Sequence, residues 1–152
     1  MTQTTSQLSN VTTTTIDARG PRFSALITTV VLIAALVTHS IWVIAFQAVV
    51  FAIGALRGPQ YTPYALIFRT FIRPRLNGEV PTEDIRPPQF AQSVGLIFAL
   101  GATAGLLSHI SPLFTLAAGA ALAAAFLNAA FNYCLGCEVY LLLLRLFRFI
   151  IN

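Results

Sequence analysis

Charge is what this sequence lacks most. Only 9% of its 152 residues are charged, while 57% are hydrophobic. A soluble domain carries about a quarter charged residues, and a single core of this length cannot hide so much apolar surface from water. Lysine is missing altogether, so all nine cations are arginines, and they face only five acids. Phosphate-binding glycine loops, nucleophile triads and paired carboxylates are also missing, which leaves hydrolytic chemistry little to work with. A net charge of +4 on a soluble protein would suggest nucleic acid as a partner. Here the basic residues flank apolar segments, so they report orientation in a bilayer and no nucleic-acid partner is expected.

No secretory signal is expected either. The first 16 residues, MTQTTSQLSNVTTTTI, are polar and rich in Thr and Ser, with no basic residue ahead of an apolar core. They read as a disordered tail before a single membrane domain over residues 17–152.

What is present is four apolar stretches, at about residues 23–37, 41–56, 90–107 and 113–133. Each approaches the roughly 20 residues that cross a bilayer as a helix, and the first two are short enough to require extension or a thinned bilayer. Their continuous apolar character disfavours a β-barrel. The expected fold class is therefore all-α: a polytopic membrane protein with four transmembrane helices. Residues 64–76 and 139–151 differ, since both mix apolar residues with arginines at helical spacing. Arg69 shares a face with Arg73, and Arg145 with Arg148; Pro74 should end or kink the earlier segment. Each is either an amphipathic interfacial helix or a continuation of the helix before it.

The chain also reads as two repeats, at about residues 17–78 and 84–152. Asp17, Arg19, Pro21 and Phe23 recur as Asp84, Arg86, Pro88 and Phe90 at one constant spacing. Each set is followed by a span, a polar turn with one histidine (His39 or His109), a second span and an arginine-bearing segment. An even number of spans per copy predicts parallel insertion. Every arginine falls before the first span, between the second and third, or after the fourth. The positive-inside rule then puts both termini and the central loop in the cytoplasm, in the inner (plasma) membrane of a cell.

The only cysteines, Cys134 and Cys137, stand in NYCLGCEVY at the cytoplasmic end of the fourth span. In a reducing compartment a permanent structural disulfide is not expected. Gly136 allows a helix break that would put Cys134 at a helix N-terminus, where a thiol's pKa falls. Cys134 then reads as the attacking thiolate, Cys137 as the resolving thiol and Glu138 as a proton acceptor or tuning group. Small-residue packing is the other reading of the pair. An intramolecular metal site lacks ligands, because both histidines belong to the opposite face, although a homodimer would supply four thiolates. No cofactor is implied. The two histidines pair across equivalent turns to relay protons or hold a metal or quinone head group, or they are simply interfacial turn residues. Asn128 and Asn132 read as one polar face, either bonding between helices or lining a route to the cysteines. Gln47 reads similarly.

PRF before the first span, ED…P.QFAQ.VG before the third and LNA…CLGCEVY with a nearby arginine resemble an uncharacterised bacterial integral membrane family, mainly actinobacterial, catalogued as a domain of unknown function. The resemblance covers about residues 17–148, with CLGC-E-x-Y as its specific part. Members are encoded near thioredoxin-like proteins and sulfurtransferases. The resemblance thus implies thiol or sulfur chemistry at Cys134 and Cys137, with a protein of one of those kinds as partner. Gln89 stands where an arginine is common in the family, which removes one surface cation. Three functions remain open: thiol–disulfide or sulfur relay, transport of a small sulfur species, and a structural or assembly role without chemistry.

Overall fold

The structure, a computed structural model, describes residues 15–152. The tail reading falls mostly on residues 1–14, which lie outside the described residues. Thr15 and Ile16 open a short strand, β1 (Thr15–Asp17). The helices follow as α1 (Arg19–Thr38), α2 (Ile41–Leu56) and α3 (Pro63–Ile67), the last running on through a π turn to Ile72 and a 3-10 turn over Arg73–Arg75. After β2 (Thr82–Asp84) come α4 (Arg86–Leu107), α5 (Ser111–Phe131) and α6 (Leu135–Ile151).

Three helices, α1, α4 and α5, are long and apolar enough to cross a membrane. α2 is also apolar, but its 16 residues reach only about 24 Å at ~1.5 Å per residue. α1 and α4 begin four residues ahead of the apolar runs. Proline fits the first helical turn, so Pro21, Pro87 and Pro88 sit inside the helices and do not delay them. Residues 139–151 do not continue the preceding helix. α5 stops at Asn132, which is left-handed at φ 54°, and a new helix starts at Leu135. Arg57 and Gly58 likewise separate α2 from α3. Pro74 ends the arginine-bearing segment as expected, since the last helical turn closes at Arg75.

The chain enters the bundle in the same way at α1 and at α4. Asp17 accepts the Arg19 backbone N–H at 3.0 Å and pairs with the Arg19 guanidinium at 2.9 Å. Asp84 accepts the Arg86 N–H at 3.0 Å and pairs with its guanidinium at 2.8 Å. The carboxylate thus satisfies a helix N-terminal donor that has no partner in its own helix. β1 and β2 form an antiparallel ribbon, with Thr15 opposite Asp84, Ile16 opposite Glu83 and Asp17 opposite Thr82. This ribbon gives no sequence signal of its own, because three residues carry no readable alternation.

α2 packs on α4, and α1 on α5. The core holds Leu32, Ala35, Ile44, Ala102, Phe114, Ala117, Ala118 and Ala121. Alanines dominate because small residues let helix backbones approach where lipid gives no hydrophobic drive to associate. Outward-facing side chains are apolar: Trp42 is 82% exposed and Phe149 83%. That exterior suits a hydrocarbon solvent and not water.

Candidate functional site

The end of α5 sets up the cysteines. The Asn132 N–H returns to the Asn128 carbonyl at 3.1 Å and the Tyr133 N–H to the Leu127 carbonyl at 3.2 Å. This closes α5 with a left-handed residue that asparagine tolerates. Cys134 then adopts an extended conformation and caps α6, its Sγ accepting the Cys137 N–H at 3.1 Å. The two sulfurs are joined as a disulfide, with Cα atoms 5.2 Å apart. Both cysteines are half-buried and Glu138 is exposed in the first turn of α6.

Gly136 presses this turn onto α4. A Cβ there would lie 2.6 Å from the Ala91 Cβ and 2.7 Å from its Cα. Two further contacts hold the junction: Phe90 packs on Tyr140 with ring centroids 5.5 Å apart, and Arg22 donates to the Ala129 carbonyl at 3.1 Å. The second contact places a cation at the carbonyl end of α5, where the helix dipole favours it.

Behind the cysteine turn lies a cavity of about 450 Å³ between α1, α4, α5 and α6. Its walls are mostly alanine, glycine, proline and valine, and Cys134 is part of them. Among the described residues no Asp, Glu, Arg or His lines it, and the polar side chains are those of Ser24, Thr28, Gln92 and Asn128. The Oε1 of Gln92 is buried and has no hydrogen-bond partner.

A family model described as a domain of unknown function, DUF4395, matches residues 16–145, from the first strand through the cysteine turn. The chain belongs to the DUF4395 family. Comparisons with curated proteins and with solved structures gave no match.

The remaining candidates fall into place differently in this DUF4395 chain. Asn128 lines the cavity together with Cys134. Asn132 does not share its helical face, because it has left the helix as the cap of α5. His39 and His109 are both left-handed, at φ 53° and 57°, and each ends a helix. The His39 ring packs on Phe114 at 5.1 Å. Among the described residues no three His, Cys, Asp or Glu side chains gather as a metal site.

Gln47 is fully buried and does bond between helices. Its Oε1 accepts the Tyr64 hydroxyl at 2.7 Å, and its Nε2 approaches the Thr28 Oγ1 at 3.5 Å. Arg69 and Arg73, expected to reach for water, turn back on the protein. Arg69 donates to the Gln60 carbonyl at 3.0 Å, and Arg73 lies 3.7 Å from Asp17. Sequence reasoning missed Gln92 and Tyr64. A glutamine inside an otherwise apolar span was the available signal for the first.

Proposed function

We propose that this DUF4395 protein is a thiol–disulfide exchange protein of the plasma membrane. It crosses the bilayer four times as two parallel halves, keeps both termini in the cytoplasm and carries its Cys134–Cys137 pair on the cytoplasmic side. The observation that carries the reading is the seat of Cys134. Its sulfur caps a helix and accepts a backbone N–H at 3.1 Å, and such a donor stabilises a thiolate more than a thiol. A cysteine packed only for its size would not need that seat.

Several features support two halves. Ile16 and Glu83, which correspond at the spacing of the Asp-x-Arg motif, face each other in the ribbon. A two-fold axis through that pair exchanges the β strands and also the α1–α5 and α2–α4 contacts. Phe23 packs on Phe68 at 5.7 Å as Phe90 does on Tyr140. The arginine asymmetry supports the orientation, and local thinning of the bilayer accommodates the short α2.

In the reaction the reduced Cys134 thiolate attacks a partner's disulfide, forming a mixed disulfide and releasing one partner thiolate. Cys137 gives its proton to Glu138 or water and attacks the Cys134 sulfur. That step forms the bond seen here and expels the second partner thiolate, so two electrons pass to the partner. Run backwards, a dithiol partner reduces the bridge. A thioredoxin-like protein suits either direction, and a sulfurtransferase suits the sulfur-relay form of the same chemistry.

The test uses full-length protein in lipid nanodiscs and a thioredoxin-like dithiol, with Cys134→Ser and Cys137→Ser variants. The wild type should exchange. Cys134→Ser should fall to background, and Cys137→Ser should trap the mixed disulfide. Neither change should unfold the bundle: the bridge closes a loop within one helical turn, for which chain entropy gives only about 2 kcal/mol. In cells, a membrane-impermeant maleimide should label the reduced pair only after the membrane is opened. Labelling from outside would overturn the orientation, and wild-type exchange at the rate of the serine variants would overturn the function.

A further inference from the structure

We infer that the cavity behind Cys134 binds the ring of a lipid-soluble para-quinone, which takes the two electrons of the Cys134–Cys137 dithiol. The inference rests on the thiol-exchange reading and names a second redox partner for the same pair. A pair at the foot of a membrane bundle has water on one side. On the other it has this cavity, of about 450 Å³, a size typical of small-molecule sites.

Three observations select the ligand class. First, Cys134 is in the cavity wall, so a bound ring lies against the residue that begins the exchange. Second, among the described residues the wall carries no ionisable side chain besides that cysteine but does carry hydroxyls and amides, from Ser24, Thr28, Gln92 and Asn128. An acyl chain needs none of these groups and a charged ligand would find no counter-charge. A neutral ring with two oxygens uses both the apolar wall and the polar points. Third, the space results from side chains that the other half retains. Tyr64 and Thr28 correspond by spacing to Gly136 and Gly95, both of which line the cavity.

The step balances. The Cys134 thiolate adds to a ring carbon, forming a C–S bond. The Cys137 thiolate attacks the Cys134 sulfur, forming the disulfide and breaking the C–S bond, whose electron pair stays on the ring. Two oxygens of the ring take up the two protons the thiols gave up. The dithiol is oxidised by two electrons and the quinone is reduced to hydroquinone.

The experiment takes reduced, full-length protein in nanodiscs and adds a short-tailed 1,4-benzoquinone or 1,4-naphthoquinone, or a water-soluble aromatic disulfide as a control. Hydroquinone absorbance and free thiols are followed together. The wild type should yield one hydroquinone per disulfide formed. Ala124→Trp should fill the cavity and slow oxidation by quinone about tenfold or more. Oxidation by the soluble disulfide should stay within about twofold, and that control also reports that the variant folds. Leu116→Trp, on the outer face of α5 and away from the cavity, should behave as the wild type. Equal quinone rates in filled and open proteins would mean that ring and sulfur meet in solution, and would overturn the inference. A wild type oxidised by the soluble disulfide but not by quinone would overturn it while leaving thiol exchange standing. If neither oxidant acts on the wild type, the thiol-exchange reading falls and takes this inference with it.

Discussion

Thr62 and Cys134 cap the helices that follow α2 and α5. The Thr62 Oγ1 accepts the Ala65 N–H at 3.2 Å, and the Cys134 Sγ accepts the Cys137 N–H at 3.1 Å. Beyond each cap an aromatic ring, Phe68 or Tyr140, packs on the phenylalanine that opens the half. Then comes an arginine, Arg73 or Arg145. Thr62, Ala65, Phe68 and Arg73 meet Cys134, Cys137, Tyr140 and Arg145 at one constant spacing. The two turns share a backbone and differ in access. Thr62 is 1% exposed, Tyr64 4% and Ala65 8%, whereas the cysteine turn is half open. One half uses the capping turn to seal the bundle with Tyr64. The other replaces the tyrosine with Gly136 and the cap with sulfur. The turn after α2 is thus closed over by buried side chains, whereas the turn after α5 leaves its two cysteines partly open.

The sharpest way to break that comparison is to give Gly136 a side chain. Gly136→Ala would set a Cβ within 2.7 Å of the Ala91 Cα, and backbone does not yield as a flexible side chain does. Overpacking of this kind costs typically 1–3 kcal/mol; we expect about 2 kcal/mol by thermal unfolding in micelles. The cysteine turn should also lift off α4, slowing thiol exchange about tenfold. Unchanged stability and exchange would show that the close approach of α6 to α4 is dispensable and that the tyrosine-to-glycine contrast is incidental.

Most of the helices are legible in the sequence, because long apolar runs between arginines leave the backbone no alternative in lipid. The break that seats Cys134 is legible from Gly136, although the residue that turns the chain is Asn132. The ribbon is not legible: Thr15–Asp17 finds its partner at the far end of the first half, and nothing local encodes a pairing over that distance. The cavity is not legible either. It arises from what small residues on four helices leave unfilled, and only packing reveals a missing side chain. The family match covers the chain from residue 16 to residue 145.

A milder perturbation addresses the sealed half. Tyr64→Phe removes the hydroxyl that donates to the buried Gln47 Oε1 at 2.7 Å and leaves that amide oxygen without its donor. A buried acceptor stranded this way costs about 1–3 kcal/mol, at the lower end here because the ring itself still fills its place. Thiol exchange at Cys134 should not change, since the loss falls in the other half. A fall in exchange would mean that the halves are coupled, and the division into plug and redox turn would need revision.

The smallest expected effect compares the two carboxylates of the ribbon. The Arg19 side chain hydrogen-bonds to Asp17, and the Arg86 side chain to Asp84, holding each carboxyl below its ordinary range. A carboxyl depressed in the folded state stabilises the fold above its unfolded pKa of about 3.9. That contribution disappears as pH falls through the lower folded value. The Asp17 side chain is 7% exposed and that of Asp84 34%, so water screens the second pair more. Asn can still cap the helix, so Asp17→Asn should remove only the charge contribution and cost up to about 1 kcal/mol at neutral pH, and Asp84→Asn less. Both variants should converge on the wild type as the medium is acidified below the ordinary carboxylate range. Equal losses would make the starts of α1 and α4 energetically alike, and would confine the asymmetry between the halves to the turns after α2 and α5.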